Sequence, residues 1–241
     1  MVLHPLNETG ELRPEATVYW WRVQLREVWV FLFLIVPSMA ISLFAIRRGH
    51  VGFVLAAWAV ILRDLGLVLL VAYFLWRNGE GWGKLGWTLS HLWREIALGV
   101  VLFIPFFMGV VGTEWLLKQA GLKGPSAPLP SFATVHDAPQ VVLALLMVAM
   151  AAVAEETIFR GYLLLRFGAT MRNMTLAVIC SSLVFALGHG YEGTVGLATV
   201  GLMGVALCLL YLWRGSLVAA ITVHFLQDFV AIVLVGILKF W

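Results

Sequence analysis

Charge is scarce in this chain. Only 12% of its 241 residues are Asp, Glu, Lys or Arg, and 62% are hydrophobic, whereas a soluble domain carries about 25% charged residues. Too few polar side chains are present to cover a water-facing surface. The composition therefore excludes an ordinary soluble domain and indicates an integral membrane protein. Cysteine is nearly absent. Cys180 and Cys208 both lie in apolar runs and make no CxxC pair, which excludes a zinc ribbon or dithiol redox motif and leaves them as buried, unreactive thiols. Neither sign of charge is in large excess. The net charge is +3, and the basic residues sit mostly in short stretches between apolar runs, as in membrane loops and unlike a nucleic-acid groove. The first 20 residues lack the basic start, apolar core and small-residue cleavage site of a signal peptide. The first membrane helix is expected to act as the insertion signal and to stay.

What is abundant is long apolar runs. Spanning a bilayer takes about 20 mainly apolar residues, and seven stretches qualify, at about 29–46, 51–76, 96–117, 141–168, 174–190, 194–213 and 216–238. The last three are closely spaced and leave room for an eighth, half-length or re-entrant element. The expected fold class is all-α, a polytopic membrane helix bundle of about seven to eight spans. Residues 1–28 read as an N-terminal interfacial segment. Within it, Leu12 to Glu27 is amphipathic, and Trp20, Trp21, Arg22 and Arg26 suit an interface belt. Residues 29–241 read as the bundle. The stretch "KGPSAPLPSFATVHDAP", Lys123 to Pro139, is expected to be a loop, a lid beside the fourth span. With seven spans, Arg13, Arg22, Arg26, Arg77, Lys84, Arg94, Arg166, Arg172 and Arg214 share the N-terminal side, and Arg47, Arg48, Lys118, Lys123 and Lys239 the other. This bias favours a cytoplasmic N-terminus.

Ionisable residues inside these runs are the candidates for function, since each costs about 2.5–3.5 kcal/mol on insertion scales and faces a bundle interior or a wet cavity. Arg63 and Asp64 are adjacent in the second span. They point about 100° apart, are poorly placed to pair directly, and are expected to bond other helices in a structural role. Glu155, Glu156 and Arg160 sit together in the fourth. Glu156 and Arg160 are four apart with the acid first, the favoured order for a pair on one face. Glu155 points elsewhere and has no partner on its own helix, and an unpaired carboxylate in a low dielectric is a candidate general base. Phe185 and His189 are four apart on the fifth span, and His224 and Asp228 four apart on the last. A histidine and a carboxylate on one face can share a metal, or the carboxylate can orient the imidazole.

Spacing links these sets. If the turn between the fourth and fifth spans centres near Arg172, Glu155 lies 17 residues before it and His189 17 after it, which places both about 25 Å along their helices at similar depth. His224 and Asp228 enter 9 and 13 residues beyond Gly215, from the same side but less deeply. Glu155, His189, His224 and Asp228 can converge.

Glu-Glu-x-x-x-Arg at 155–160, Phe-x-x-x-His at 185–189 and His-x-x-x-Asp at 224–228, in that order on successive late spans, resemble the CPBP family of intramembrane proteases. The family is named for CaaX proteases and bacteriocin-processing enzymes and is also called Abi. The resemblance covers about residues 138–232, and the first three spans carry no matching motif. It implies that Glu155 activates the attacking water, that His189 assists it, and that His224 lines the site and helps stabilise the oxyanion. Glu156, Arg160 and Phe185 are then supporting residues. The last motif position is asparagine in CaaX-type members and is Asp228 here. An ionised Asp cannot donate to an oxyanion, so Asp228 is protonated, or orients His224, or binds a metal. The family carries a metalloprotease label, yet its prenyl-protein members are also described as glutamate-dependent. His189, His224 and Asp228 would suit zinc with an open water position; Glu155 with His189 could deprotonate water unaided.

The resemblance implies a hydrolase acting on a membrane-anchored protein or peptide, with a prenylated or hydrophobic C-terminal tail, in a prokaryotic cytoplasmic membrane. It implies no nucleic-acid partner. Bacteriocin maturation, bacteriocin immunity and sorting-signal cleavage use the same chemistry. A non-catalytic scaffold or immunity protein of the same fold is the alternative from another class. A proton-coupled transporter is a third, though the chain shows neither an internal repeat nor a matching pair of broken helices.

Overall fold

The computed structural model describes residues 14–47, 52–124 and 137–234, and within the first helix the side chains of residues 21–40. Among these residues the chain is all helical. The order is α1 (Pro14–Arg47), α2 (Phe53–Asn78), a 3₁₀ turn (Trp82–Leu85), α3 (Leu92–Gln119), α4 (Ala138–Glu155), a first π segment (Glu156–Leu163), α5 (Leu164–Met171) and α6 (Met174–Leu187). A 3₁₀ turn (Gly190–Glu192), α7 (Gly193–Arg214), α8 (Val218–Asp228) and a second π segment (Phe229–Leu234) complete it. The polytopic bundle expected from the sequence is the observed architecture. Most of the Lys123–Pro139 loop lies outside the described residues, as do Leu12 and Arg13.

Local signals account for several helix ends. Asp137 caps α4, its carboxylate accepting from the Gln140 amide at 2.9 Å, with proline in the first turn. Asn173 caps α6 by accepting from the Leu176 amide at 3.1 Å. Arg172 takes a left-handed backbone (φ 52°) between α5 and α6, so the turn expected there is present. α1 runs unbroken through the boundary expected at residue 28, and the amphipathic stretch continues into the span as one helix.

Among the described residues, five segments are long and apolar enough to cross a membrane: Trp21–Ala40, Phe53–Asn78, Leu92–Gln119, Ala138–Met171 and Gly190–Arg214. Two further apolar helices, Met174–Leu187 and Val218–Leu234, are shorter in those residues. α6 has 14 residues, which is about 21 Å of helix against a hydrocarbon core of about 30 Å. α6 alone is therefore shorter than that core, and His189 follows it just before the 3₁₀ turn. Here the turn is held by the loop after α3. The Val195 amide donates to the Lys123 carbonyl at 3.1 Å, and Thr194 Oγ1 lies 3.0 Å from both the amide and the carbonyl oxygen of Lys123.

The core is built on α4, the first π segment and α5, with Phe31, Phe74, Tyr162, Leu163 and Phe185 buried together. Other helices face outward. α3 buries only Glu95 and Gly99, and an apolar helix with so little protein cover has lipid as its solvent.

Ion pairs gather at one end. Glu27, 1% exposed, accepts from Arg77 Nη2 (2.5 Å), Asn78 Nδ2 (2.6 Å), Tyr162 Oη (2.8 Å) and Arg166 Nε (3.1 Å). Arg166 also pairs with Glu80, which Lys84 meets at 3.3 Å. Burial pushes the Glu80 carboxyl up, but hydrogen bonds and charge from Arg166 and Lys84 outweigh burial and hold it below the usual range. Arg214 pairs with Glu95 at 2.6 Å on the same end, where the Leu217 amide bonds the Gly86 carbonyl. Arg77, Lys84, Arg166 and Arg214 thus share one face, as the sequence grouped them.

α3 and α8 cross at Gly99. A Cβ there would lie 2.6 Å from Thr222 Cβ and 2.9 Å from the Ala219 carbonyl oxygen, so the backbones approach only because the residue is small. Gly99→Ala should destabilise the purified protein by about 1–3 kcal/mol, the usual cost of overpacking. Thermal unfolding in detergent measures this; an unchanged midpoint would mean that the crossing is looser than described.

Candidate active site

The two glutamates straddle a change of helix type. Glu155 ends α4, and Glu156 opens the π segment. π turns are rare, wider than α turns, and frequent at functional sites. Neighbours support this one. Ser181 on α6 donates to the Phe159 carbonyl at 2.7 Å, and Trp87 Nε1 donates to Thr157 Oγ1 at 3.2 Å. Side chains that engage the displaced backbone let such a segment persist inside a membrane.

Glu156 is fully buried. Its Oε1 lies 2.8 Å from Arg160 Nη1 and accepts from His224 Nδ1 at 2.7 Å. The expected Glu156–Arg160 pair is present, but sequence spacing missed the third member, His224. Arg160 is fully buried too, and its guanidinium carbon stands 4.2 Å from the centre of the Phe185 ring. The ion pair and the aromatic face hold its charge, because none of its nitrogens has a hydrogen-bond partner of good geometry.

Glu155 points the other way. Its Oε1 accepts from Arg63 Nη2 at 3.3 Å, and its Oε2 lies 3.8 Å from His224 Nε2. Asp228 Oδ2 lies 3.5 Å from the same ring nitrogen. His224 is therefore the junction, with Nδ1 toward the locked Glu156 and Nε2 toward Glu155 and Asp228. Exposure differs sharply across it. The side chains of Glu156 and His224 are 0% and 3% exposed, while those of Glu155, Asp228 and Arg63 retain 12%, 26% and 30%. The cluster is closed on the Glu156 side and open on the Arg63–Asp228 side.

Arg63 corrects one expectation. Adjacent helical residues should diverge, yet Arg63 Nε donates to Asp64 Oδ1 at 2.8 Å. The arginine stem is long and flexible enough to fold back, so the 100° between Cα–Cβ directions does not prevent contact. Its Nη2 lies 2.7 Å from the same Asp64 oxygen and also reaches Glu155. An intramembrane cation was the signal; what spacing could not say was which helix would face α2.

His189 differs from expectation as well. Its Nδ1 sits 3.2 Å from the Phe185 carbonyl, to which an Nδ1–H donates, and its ring packs on Phe185 at 5.0 Å. Among the described residues no hydrogen bond or ion pair joins it to Glu155 or His224. The Phe185 ring meets both imidazoles, the second at 5.9 Å edge-on. Equal depth along two helices does not fix the facing of side chains, and Phe185 takes the intervening space.

The donor set bears on the metal alternative. Among the described residues no three His, Cys, Asp or Glu side chains gather as a metal site. His189 stands apart from His224 and Asp228, and both nitrogens of His224 face carboxylates. The set His189, His224 and Asp228 does not fit a metal ion in this arrangement. The cysteines form no disulfide; Cys208 is buried beside Ser182, 3.9 Å away, and Cys180 is half-buried.

Removing one member of the buried pair should be costly. Arg160→Met leaves Glu156 charged at zero exposure, a situation worth about 3–5 kcal/mol of destabilisation. The double variant Arg160→Met/Glu156→Gln should recover part of that loss. Thermal unfolding of the three proteins in one detergent checks it, and additive losses would contradict the pairing.

Comparison with known proteins agrees with the motif resemblance. The family model for Rce1-like type II CAAX prenyl endopeptidases matches residues 137–230, the span from the α4 cap to just beyond Asp228. No curated protein and no solved structure matches the chain. All three motifs fall within the matched residues, in keeping with their resemblance to the CPBP family.

Proposed function

We propose that this protein is an intramembrane endopeptidase that hydrolyses a peptide bond near the C-terminus of a membrane-anchored protein, with Glu155 as the base. The family match supports a protease of this type and a membrane-anchored substrate. The observation that carries the assignment to Glu155 is the unequal pairing of the twin glutamates. Glu156 is enclosed by Arg160 and His224, while Glu155 keeps one oxygen toward the open side of the cluster.

In this reading, water bound beside Glu155 loses a proton to the carboxylate as its oxygen attacks the scissile carbonyl carbon. The tetrahedral intermediate collapses when the C–N bond breaks. The proton held by Glu155 passes to the leaving amine, giving a carboxylate and a new amino terminus. Glu156 accepts a hydrogen bond from the Nδ1–H of His224, which keeps its proton, and turns Nε2 toward the reaction. There the doubly protonated ring would donate to the oxyanion. Asp228, only an acceptor when ionised, orients that ring edge. His189, with Nδ1 donating to the Phe185 carbonyl, presents Nε2 as an acceptor and approaches when substrate or water fills the gap. The end that gathers Arg77, Lys84, Arg166 and Arg214 is assigned to the cytoplasmic face.

Glu155→Gln should lower the turnover of a quenched-fluorescent prenylated CaaX peptide by about 10²–10⁴-fold, the range for loss of a general base. Its melting temperature should stay near the parent's. Glu156→Gln should lower both turnover and melting temperature, because Arg160 is then left buried without its partner. Cleavage by Glu155→Gln at the parent rate would refute the assignment.

A further inference from the structure

We propose that Arg63, anchored by Asp64, is the positioning residue that holds the carboxylate of Glu155 for reaction. Both lie on α2, outside the residues 137–230 that match the protease family, so the site is completed by a part of the chain that carries none of the three motifs. The inference rests on the endopeptidase reading above.

Three observations carry it. Arg63 bridges two carboxylates: Nε and Nη2 meet Asp64 Oδ1 at 2.8 and 2.7 Å, and the same Nη2 also reaches Glu155 Oε1 at 3.3 Å. Asp64 is 1% exposed, and among the described residues its second oxygen has no hydrogen-bond partner, so its anchoring contact is the one to Arg63. A guanidinium gripped through two nitrogens by one buried oxygen holds the nitrogen it shares in a set position. One oxygen of Glu155 is thereby tethered, and the other is left facing His224 Nε2 and the open side of the cluster.

A purely structural role explains less. α2 and α4 are already joined by Phe53 and Ala57 packed on Ala144, Met147 and Val148. That contact needs no intramembrane cation, which carries an insertion cost that apolar packing avoids. The charge is placed between the buried Asp64 and Glu155 and meets both. The groups that face Glu155 include Arg63 and Asp64 from α2, Tyr191 from the turn before α7, and His224 from α8, with Asp228 behind that ring. Arg63 donates a hydrogen bond to it.

The experiment uses the full-length protein in liposomes with the same prenylated CaaX peptide. Arg63→Met should lower kcat by about 10–100-fold, the cost of a misplaced reacting group, with KM within about twofold. Arg63→Lys, which restores a donor and charge, should return kcat to within about fivefold of the parent. Adding Arg63→Met to Glu155→Gln should cause no further loss, because Arg63 acts through Glu155. Should Arg63→Met fail to fold, Asp64→Asn carries the test: it keeps the cation but loosens its anchor, and kcat should fall with KM unchanged. The proposal is overturned if Arg63→Met keeps the parent kcat or changes KM alone. Arg63→Lys as slow as Arg63→Met, additive losses in the double variant, or an unchanged kcat in Asp64→Asn would also overturn it. If Glu155→Gln itself cleaves like the parent, the endopeptidase reading falls first. If Glu155→Gln is inactive while Arg63→Met is not impaired, only the positioning role falls.

Discussion

The buried ion pair between Glu156 and Arg160 is the constraint on which the rest of the site depends. Both side chains are removed from solvent, and burying either alone would be prohibitive. Their pairing fixes the π segment that carries them. It also fixes Phe185, over whose ring the guanidinium lies. Most directly it fixes His224, whose Nδ1 bonds the same glutamate oxygen. With Glu156 committed in this way, the neighbouring Glu155 is the carboxylate of the two that keeps some exposure. Two adjacent, chemically identical residues have different surroundings because one is enclosed and the other is not.

A second set of charges works at the other scale, on the bundle and not on the chemistry. Glu27 collects donors from α2, the π segment and α5, and Arg166 passes the connection to Glu80. This network ties α1 and the end of α2 to the helix that carries the glutamates. Tyr162 is shared: its hydroxyl bonds Glu27, and its ring stacks on Phe74 and meets Phe31. The π segment is therefore held from both ends, by Glu27 through Tyr162 and by His224 through Glu156. Such double support is what a precise site on a membrane helix needs, since lipid contributes no directional contacts.

Much of this was legible in the sequence. Low charge content and long apolar runs gave the polytopic bundle, and the (i, i+4) spacing with acid first gave the Glu156–Arg160 pair. The positions of His224 and Asp228 allowed both to approach Glu155. Three things were hidden for physical reasons. Helix type is set by tertiary support, so the π turn at Glu156 could not be read from an α-helical period, nor could the contact of Glu156 with His224. Equal spacing from a turn does not determine side-chain facing, so among the described residues no hydrogen bond or ion pair joins His189 to Glu155, and its ring packs on Phe185. Long side chains escape the geometry of their own backbone, and this is how Arg63 bonds its neighbour Asp64 and still spans the 92 positions to Glu155. Glu27 stands at the edge of an amphipathic stretch, where a charge is ordinary and carries no signal of burial.

The central claim is that Glu156 serves as the orienting partner of His224, and not as the reacting base. It is tested most directly by the protonation pattern of that imidazole, read from ring ¹⁵N shifts of histidine-labelled protein in bilayers and assigned with a His224→Gln variant. Nδ1 should carry a proton in a strong hydrogen bond that is lost in Glu156→Gln and kept in Glu155→Gln. An Nδ1 without a proton, or a signal that responds to Glu155→Gln but not to Glu156→Gln, would contradict this division of roles.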